Sequence, residues 1–187
     1  MTAKYVTNTF ELTDTYKQIL LDVKLARIQI EPSNDNRTRL VFFENAKQPH
    51  EFFIQDDTLT IKLTKRKWYH LFNLNVEHSQ IKLCVPESML ETISVKSNVG
   101  HVDINSITCG KTIDIKLNTG RVLLNDCTAP EIFVKTNTGN VCGRLPSNMV
   151  FAIRSNTGKV EIPKAAIGEA IGGRCEIKTN TGNIKFE

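Results

Sequence analysis

One tripeptide recurs five times in the second half of this 187-residue chain, at nearly constant spacing. It reads Asn-Val-Gly once and Asn-Thr-Gly four times, and its glycines are Gly100, Gly120, Gly139, Gly158 and Gly182. Successive glycines are 20, 19, 19 and 24 residues apart. Because glycine adopts a positive φ without the steric penalty that a Cβ brings, we expect each of these structural turn residues to bend or reverse the chain.

β-branched residues stand at fixed distances on both sides of each glycine. Five residues before it come Val95, Ile115, Val134, Ile153 and Ile177, and two residues after it come Val102, Val122, Val141, Val160 and Ile184. Apolar residues alternate with polar ones on both sides, and a period of two is typical of strands. Each repeat is therefore predicted to be two short strands joined at the tripeptide.

The length of the repeat indicates how the units stack. A propeller blade needs about 40 residues, so a repeat half as long favours one coil of a β-solenoid. Stacking would put equivalent residues about 4.8 Å apart, with the β-branched columns in the core and the asparagines in an amide ladder beneath the turn. A meander of antiparallel hairpins is the alternative.

The predicted fold is an all-β, single-domain β-solenoid over residues 1–187, right-handed and β-helix-like by the crossover rule for parallel strands. Regular coils of about 19–20 residues occupy 93–187, and irregular coils occupy 19–92, where the alternation continues without the tripeptide. The strands predicted there cover 26–30, 39–43, 51–54, 59–63 and 80–85. The composition agrees, since the chain has 18 Ile, 13 Val and 19 Thr against 8 Ala, a bias towards strand formers.

Several function classes lack sequence support. The five cysteines are odd in number and form no C-x-x-C pair, and the four histidines form no metal-binding pair, so neither a metal nor a cofactor is expected. No apolar run approaches the 18 residues or so of a membrane span, and no signal peptide precedes the first strands, so the chain as written is expected to be cytoplasmic. The net charge of +4 does not favour a nucleic-acid partner.

Catalysis is not expected either. The alternation turns Asp103, Asp114, Glu161 and Glu176 outwards, but they fall in different columns and on separate repeats, so no carboxylate pair has acid–base spacing. The repeat also places no Ser or Cys beside a His that would activate it.

The most specific chemical pattern is a cation four residues before each glycine. We call these residues the cation column: Lys96, Lys116, Lys135, Arg154 and Lys178. Stacked at strand spacing and facing outwards, the five charges would repel one another unless water or a polyanion screens them. The column is a candidate site for an anionic polymer, a lipid headgroup surface or a nucleic acid, and a solvated face is the alternative.

A second candidate lies in the segment 64–79, which interrupts the strand pattern. Trp68, Tyr69 and Phe72 follow the basic run 65–67 and could contact a protein partner or a membrane surface. Alternatively, the segment covers one apolar end of the stack, as a solenoid requires. The glycine-rich stretch 165–173 accounts for the longer spacing of the last repeat and is expected to be an inserted loop.

The chain stops five residues after Gly182, directly after a predicted strand. A C-terminal coil at the end of the stack would expose the inner residues Ile177, Ile184 and Phe186 and an unpaired strand edge. We therefore expect the loop 165–173 to cover that coil, or two molecules to form a homodimer through it.

The order of several motifs points to a family. The stretches 28–33 (IQIEPS), 59–62 (LTIK) and 81–86 (IKLCVP) precede the tripeptide repeats, and a Gly-Gly pair precedes the last one. Over residues 19–187 this order resembles the bacterial "putative adhesin" family of β-strand repeat domains. The resemblance implies a β-helix-like fold, an association with the cell envelope and no catalytic residues. The sequence thus predicts a non-enzymatic interaction or scaffold module for a protein or an envelope polymer, with polyanion binding by the cation column as the alternative.

Overall fold

A computed structural model describes residues 5–47, 49–64, 79–86, 90–163 and 173–187. These ranges form fourteen strands and no helix, so the predicted all-β class is confirmed. Nor do they contain any helix of the length and hydrophobicity that a membrane span requires. The strands are β1 (Tyr5–Leu12), β2 (Gln18–Pro32), β3 (Thr38–Asn45), β4 (His50–Gln55), β5 (Thr58–Leu63), β6 (Gln80–Val85), β7 (Thr92–Asn105), β8 (Thr112–Asn125), β9 (Glu131–Thr138), β10 (Val141–Arg144), β11 (Val150–Thr157), β12 (Val160–Glu161), β13 (Arg174–Thr181) and β14 (Ile184–Phe186).

The tripeptide repeats pair with one another in parallel and in register. β7 lies beside β8 with Gly100 opposite Gly120, and β8 continues the parallel pairing to β9 on one side of the bend and to β10 on the other. Parallel neighbours cannot be joined by hairpins, because a hairpin reverses the strand direction. The alternative of an antiparallel meander is therefore excluded for the repeats.

The chain bends at each of the five tripeptide glycines. The five glycines have φ between 142° and 155°, so the positive φ predicted for them is confirmed. β7 and β8 pass through their glycines without a break, as single strands of 14 residues. For these two repeats the prediction of two short strands joined by a turn was wrong, because the backbone hydrogen bonds continue on both sides of the glycine.

The coils of β7 and β8 also pair beyond the two sides that the tripeptide joins. After β7 and β8 the chain turns at Ser106 and Asp126, which adopt φ of 53° and 52°. Thr108 then pairs in parallel with Thr128, and the amide of Cys109 donates to the Thr128 carbonyl. Successive coils thus stay in register beyond the two sides that the tripeptide joins.

The order of the coils in the stack differs from their order in the chain. β13 lies between β9 and β11, and β14 lies between β10 and β12. The C-terminal coil is therefore inserted inside the stack, and the coil of β11 and β12 forms the end. The expectation that the C-terminal coil ends the stack was wrong, because the repeats are alike enough for either coil to pair with β9 and β10.

The N-terminal end shows the same inversion. β2 pairs with β7 on one side and with β5 and β6 on the other. The first coil of the chain, which contains β2, therefore lies between β7 and the second coil, which contains β5 and β6. All five strands predicted in this half occur, within β2 to β6. β3 and β4 then add to this end in antiparallel orientation, and β1 continues the sheet beyond β3.

The core consists of the predicted inward columns. Val95, Ile115, Val102 and Val122 are completely buried, as are their equivalents in the inserted coil, Ile177 and Ile184. The columns lose their burial only at the end of the stack, where the end coil has one neighbour instead of two. There Val160 is 44% exposed, and Ile153 is half-buried.

Candidate functional site

The cation column runs along the outside of the stack, on the strands that precede the bends. In stack order it reads Lys96, Lys116, Lys135, Lys178 and Arg154, each directly opposite the next. All five residues are exposed. Neighbouring positions are about 4.8 Å apart, the separation of paired strands. The structure thus places the five cations together, with Lys178 and Arg154 exchanged relative to the chain order.

A second outward column accompanies the first, two residues earlier in each strand. In stack order it reads Ser94, Asp114, Phe133, Glu176 and Ala152. Asp114 accepts a hydrogen bond from Lys116 at 2.6 Å, and Glu176 accepts from Lys178. The Lys178 ammonium lowers the pKa of the Glu176 carboxyl, so that acid stays ionised at neutral pH. Two of the five cations are therefore neutralised within their own coils.

The remaining three cations, Lys96, Lys135 and Arg154, form no ion pair with any acid in the described ranges. Arg154 instead donates from Nε to the amide oxygen of Asn156 at 3.3 Å. In the next coil towards the N-terminal end, Asp22 occupies the column position beside Lys96 and ends the run of cations.

An exposed asparagine column lies two residues beyond the cations, at the tripeptide. Asn118 donates to Asn98 at 3.1 Å, Asn180 donates to Asn137, and Asn156 donates to Asn180 at 3.3 Å. The sequence predicted a ladder of Asn118, Asn137 and Asn156, but these three side chains bond to Asn98 and Asn180 and not to one another. Amide pairs therefore form between these coils, with Asn180 between Asn137 and Asn156 because the C-terminal coil is inserted there. The predicted position of the asparagines beneath the turn was wrong, because all five lie on the outer side of the bends and are exposed to solvent.

Two stretches singled out by the sequence lie outside the described residues. Trp68, Tyr69 and Phe72 belong to 65–78, and most of the loop 165–173 belongs to 164–172. The candidate partner or membrane contact and the candidate cap therefore stay predictions.

The cysteines are free thiols, and three of them are core residues. Burial raises the pKa of Cys109 to about 12, that of Cys127 to about 11 and that of Cys175 to about 12. At neutral pH these thiols are protonated and poor nucleophiles. Within the described part of the chain, no cluster of three or more His, Cys, Asp or Glu side chains could hold a metal ion.

One buried polar pair escaped the sequence analysis. His50 Nδ1 lies 2.7 Å from Glu44 Oε2, and both side chains are 2% exposed. Asn8 donates to the other oxygen of Glu44, and the His50 ring stacks on Phe42. The pair links β3 to the start of β4 at the antiparallel end of the stack, far along the chain from the tripeptides. The alternation carried a signal for both: Glu44 continues the inward positions of Leu40 and Phe42 in β3, and His50 alternates with Phe52 and Ile54 in β4. A polar residue at an inward position would have marked each of them as a candidate for a buried pair.

A family model described as Toastrack DUF4097 matches residues 16–187, a range that holds every coil and the complete cation column. The chain belongs to this Toastrack family. The family match confirms the predicted resemblance to a family of β-strand repeat domains. A search of curated proteins found no match to the Toastrack chain.

Among solved structures, a "putative cell adhesion protein" from Clostridium sporogenes covers 99% of both chains with a TM-score of 0.70 and 13% identity. A "putative adhesin" from Bacteroides fragilis covers 98% of this chain and 97% of its own, with a TM-score of 0.46 and 16% identity. Another from Parabacteroides distasonis covers 99% and 98%, with a TM-score of 0.40 and 12% identity. At 13% identity, the similarity to the Clostridium protein concerns the fold alone.

Proposed function

We propose that this Toastrack chain is a non-enzymatic interaction module of the bacterial cell envelope, built as a β-solenoid, whose ligand is an anionic polymer. One observation carries the proposal. Five cations from five different repeats lie in direct register on consecutive coils and all face solvent.

Such an array suits a linear polyanion for physical reasons. The strands fix the backbone positions of the cations, so a ligand does not have to order them on binding. Neighbouring cations are closer than the screening length of about 8 Å at physiological salt, and their mutual repulsion is relieved when negative charges lie along them. Each contact also displaces counterions from the polymer, which makes binding strongest at low salt.

The carboxylates of the repeats support a non-enzymatic role. Asp114 and Glu176 are paired with lysines of the cation column, and Asp103 accepts from Arg27 at 3.2 Å. A catalytic acid and base would need carboxyl groups facing a shared substrate position. These acids instead neutralise cations on separate coils.

The envelope location rests on the family. A protein of the same fold, from Clostridium sporogenes, is described as a "putative cell adhesion protein". A cell-surface or wall polymer is therefore the kind of anionic partner that the module would meet. A homodimer remains a second proposal, but its surface must be the end coil of β11 and β12 rather than the inserted C-terminal coil.

The test compares two variants with the same net charge. The first replaces all five residues of the cation column by glutamine. The control replaces five exposed cations elsewhere on the surface, namely Lys17, Arg37, Lys111, Arg144 and Lys185. Both changes lower the formal net charge from +4 by five, to −1.

Affinity for heparin, and for anionic vesicles, is measured at low salt. We expect the column variant to lose at least about tenfold in heparin affinity and the control to lose much less, because the column offers five charges in one line and the control residues are scattered. Absence of binding by the unmodified protein, or equal losses in both variants, would refute the proposal.

A further inference from the structure

The end coil of the stack, formed by β11 and β12, has an unpaired edge on both sides of its bend. Among the described residues, β11 pairs only with β13 and β12 only with β14. Val160 and Ile162 are 44% and 42% exposed at this end. Ile153 is half-buried, although the residues equivalent to it and to Val160 are buried in every interior coil. An edge with free backbone groups and exposed apolar residues is a template for pairing with another strand.

The pairing on the inner side of the end coil defines which backbone groups reach its free edge. The Val150 amide donates to the carbonyl that precedes β13, and the Lys159 carbonyl accepts from the first amide of β14. Both residues therefore direct their backbone groups towards the interior of the stack. Successive residues of a strand direct these groups to opposite sides. The residues that direct theirs to the free edge are Ile153, Ser155, Val160 and Ile162.

A two-fold axis through the bend brings two such edges together. The axis lies in the plane of the end coil, passes between Thr157 and Gly158 and exchanges the two sides of the bend. β11 of one molecule then runs antiparallel to β12 of its partner, and β12 runs antiparallel to the partner's β11. An interface of this kind is self-complementary and closed, so two molecules pair both free edges of each other.

The inward alternation selects the register of this pairing. Apolar residues have to face the core on both strands, which places Ile153 opposite the partner's Ile162 and Ser155 opposite the partner's Val160. All four residues direct their backbone groups to the free edge, so each pair can exchange both backbone hydrogen bonds. A shift by one residue would set the inward residues of one strand against the outward residues of the other.

The outward residues carry complementary charges in this register. Arg154 lies opposite the partner's Glu161, and the two-fold axis repeats the pair. Both residues are exposed, and neither forms an ion pair in the described part of its own chain. In the adjacent coil, Lys178 lies beside Arg154 and Lys185 beside Glu161, and each of these lysines already donates to an acid of its own coil. Opposite charges directly across an antiparallel pair stabilise it.

Other registers lose this match. A shift by two residues in one direction places Arg154 opposite the partner's Lys159, which is a repulsive contact. The same shift in the other direction places it opposite Pro163, which carries no charge. In the selected register Lys159 lies opposite Asn156, whose amide oxygen can accept a hydrogen bond. Pairing of β11 with a second β11 would offer Arg154 no acid, since residues 150–157 contain none.

We propose that this chain forms a two-fold homodimer through the end coil, with β11 paired antiparallel to the partner's β12 and Arg154 bound to the partner's Glu161. This inference rests on the homodimer named above as the second proposal and does not require polyanion binding. The occupant is a second copy because one edge supplies both halves of each match. In the dimer Arg154 belongs to the interface, so a polyanion would contact the other four residues of the cation column.

The first test is the mass of the unmodified protein, measured by light scattering over a concentration series. We expect the mass to rise with concentration from 21.1 kDa to twice that value. If the loop 165–173 covers the edge, as the sequence allows, the mass stays that of a monomer. If the end coil pairs with the N-terminal end of another molecule, the mass exceeds that of a dimer, because such a contact does not close. Either result would overturn the inference.

Charge reversal tests the register. Arg154→Glu and Glu161→Arg should each weaken dimerisation by at least about tenfold, because each replaces two ion pairs by two like-charge contacts. The double variant restores opposite charges and should return the dissociation constant to within about threefold of the original value. Arg121→Glu is the matched control, since Arg121 is exposed but lies three strands from β12, beyond the screening length of about 8 Å.

Equal dissociation constants in all variants would contradict the inference, and so would a loss in the single variants that the double variant does not restore. Heparin affinity of Glu161→Arg, which leaves the cation column intact, separates the two proposals. A monomer that binds heparin through the column would refute the dimer alone, whereas a dimer without heparin binding would refute the polyanion proposal alone. Thermal melts establish that each variant is folded.

Discussion

At the scale of single residues, the tripeptide glycine is required for two separate reasons. Gly139 has φ of 155°, a conformation that side chains with a Cβ rarely adopt. A Cβ built there would also lie 1.5 Å from the carbonyl oxygen of Gly120 in the next coil. The first reason follows from the sequence pattern, whereas the second arises only because the coils stack with glycine on glycine.

Replacement of Gly139 by alanine should therefore be severe. We expect Gly139→Ala to lower the free energy of unfolding by more than about 3 kcal/mol, because a strained φ is combined with a clash against the backbone. In a chain of this length that corresponds to a Tm lower by roughly 6 to 12 °C, measured by differential scanning calorimetry.

Gly110 provides the control. It lacks the positive φ, and the nearest atom to a Cβ there is the Leu90 carbonyl oxygen, at 3.8 Å. Gly110→Ala should leave the Tm nearly unchanged or raise it, through the smaller entropy of the unfolded chain. Similar losses at both positions would show that the close stacking at the bend is not the cause.

At the scale of strands, the short β14 is an interior element. Phe186 is 3% exposed, and its ring lies 5.7 Å from that of Phe151 in the end coil. The residue opposite Phe186 in β10 is Gly143, where the other coils carry an isoleucine or a leucine. The large side chain of Phe186 thus lies beside a glycine, which has no side chain. β14 is the last strand of the chain, and it contributes to the core between β10 and β12.

Truncation of Phe186 tests the insertion of this strand. Phe186→Ala should destabilise the protein by about 3 to 5 kcal/mol, as expected for a buried phenylalanine. Val160→Ala, in the end coil, should cost less than about 1 kcal/mol because Val160 is already 44% exposed. Urea unfolding followed by circular dichroism measures both. A small effect at Phe186 would mean that β14 lies at the end of the stack, as the sequence alone suggested.

At the scale of the whole molecule, the first and last coils of the chain, those of β2 and of β13 and β14, lie inside the stack and not at its ends. β2 is inserted between β7 and the coil of β5 and β6, and β13 is inserted between β9 and β11. The exposed edge belongs to β11 and β12, where Val150, Val160 and Ile162 are exposed.

Engineered disulfides can establish this coil order. Thr138 lies opposite Thr181, and Thr181 lies opposite Thr157, so Thr138 and Thr157 are two coils apart. The pair Thr138→Cys with Thr181→Cys should oxidise readily, because strand neighbours meet the Cα separation of about 4.4 to 6.8 Å that a disulfide needs.

The pair Thr138→Cys with Thr157→Cys is the control, since its Cα atoms are about 10 Å apart, beyond the reach of a disulfide. Peptide mapping by mass spectrometry identifies the bridges. Stacking in chain order would give the opposite result, a bridge between positions 138 and 157 and none between 138 and 181.

The sequence by itself determined the strands of the repeats, the bends and the membership of each column, whereas β1 and residues 18–25 of β2 lay outside the predicted strands. These features are local: the alternation of Val95, Lys96 and Ser97 already specifies which side chain faces the core, and a glycine after Asn-Thr specifies a bend. The family resemblance and the outward cations followed from the same pattern.

Only the tertiary structure decided which coil lies beside which. Every repeat offers nearly the same strand edge and the same inward columns, so local preferences do not distinguish β11 from β13 as the neighbour of β9. The choice depends on contacts between distant residues, such as the packing of Phe186 against Phe151 beside Gly143. The arrangement of charge on the candidate site is therefore a property of the stack, because the coil order sets the distance between Lys96, Lys135 and Arg154.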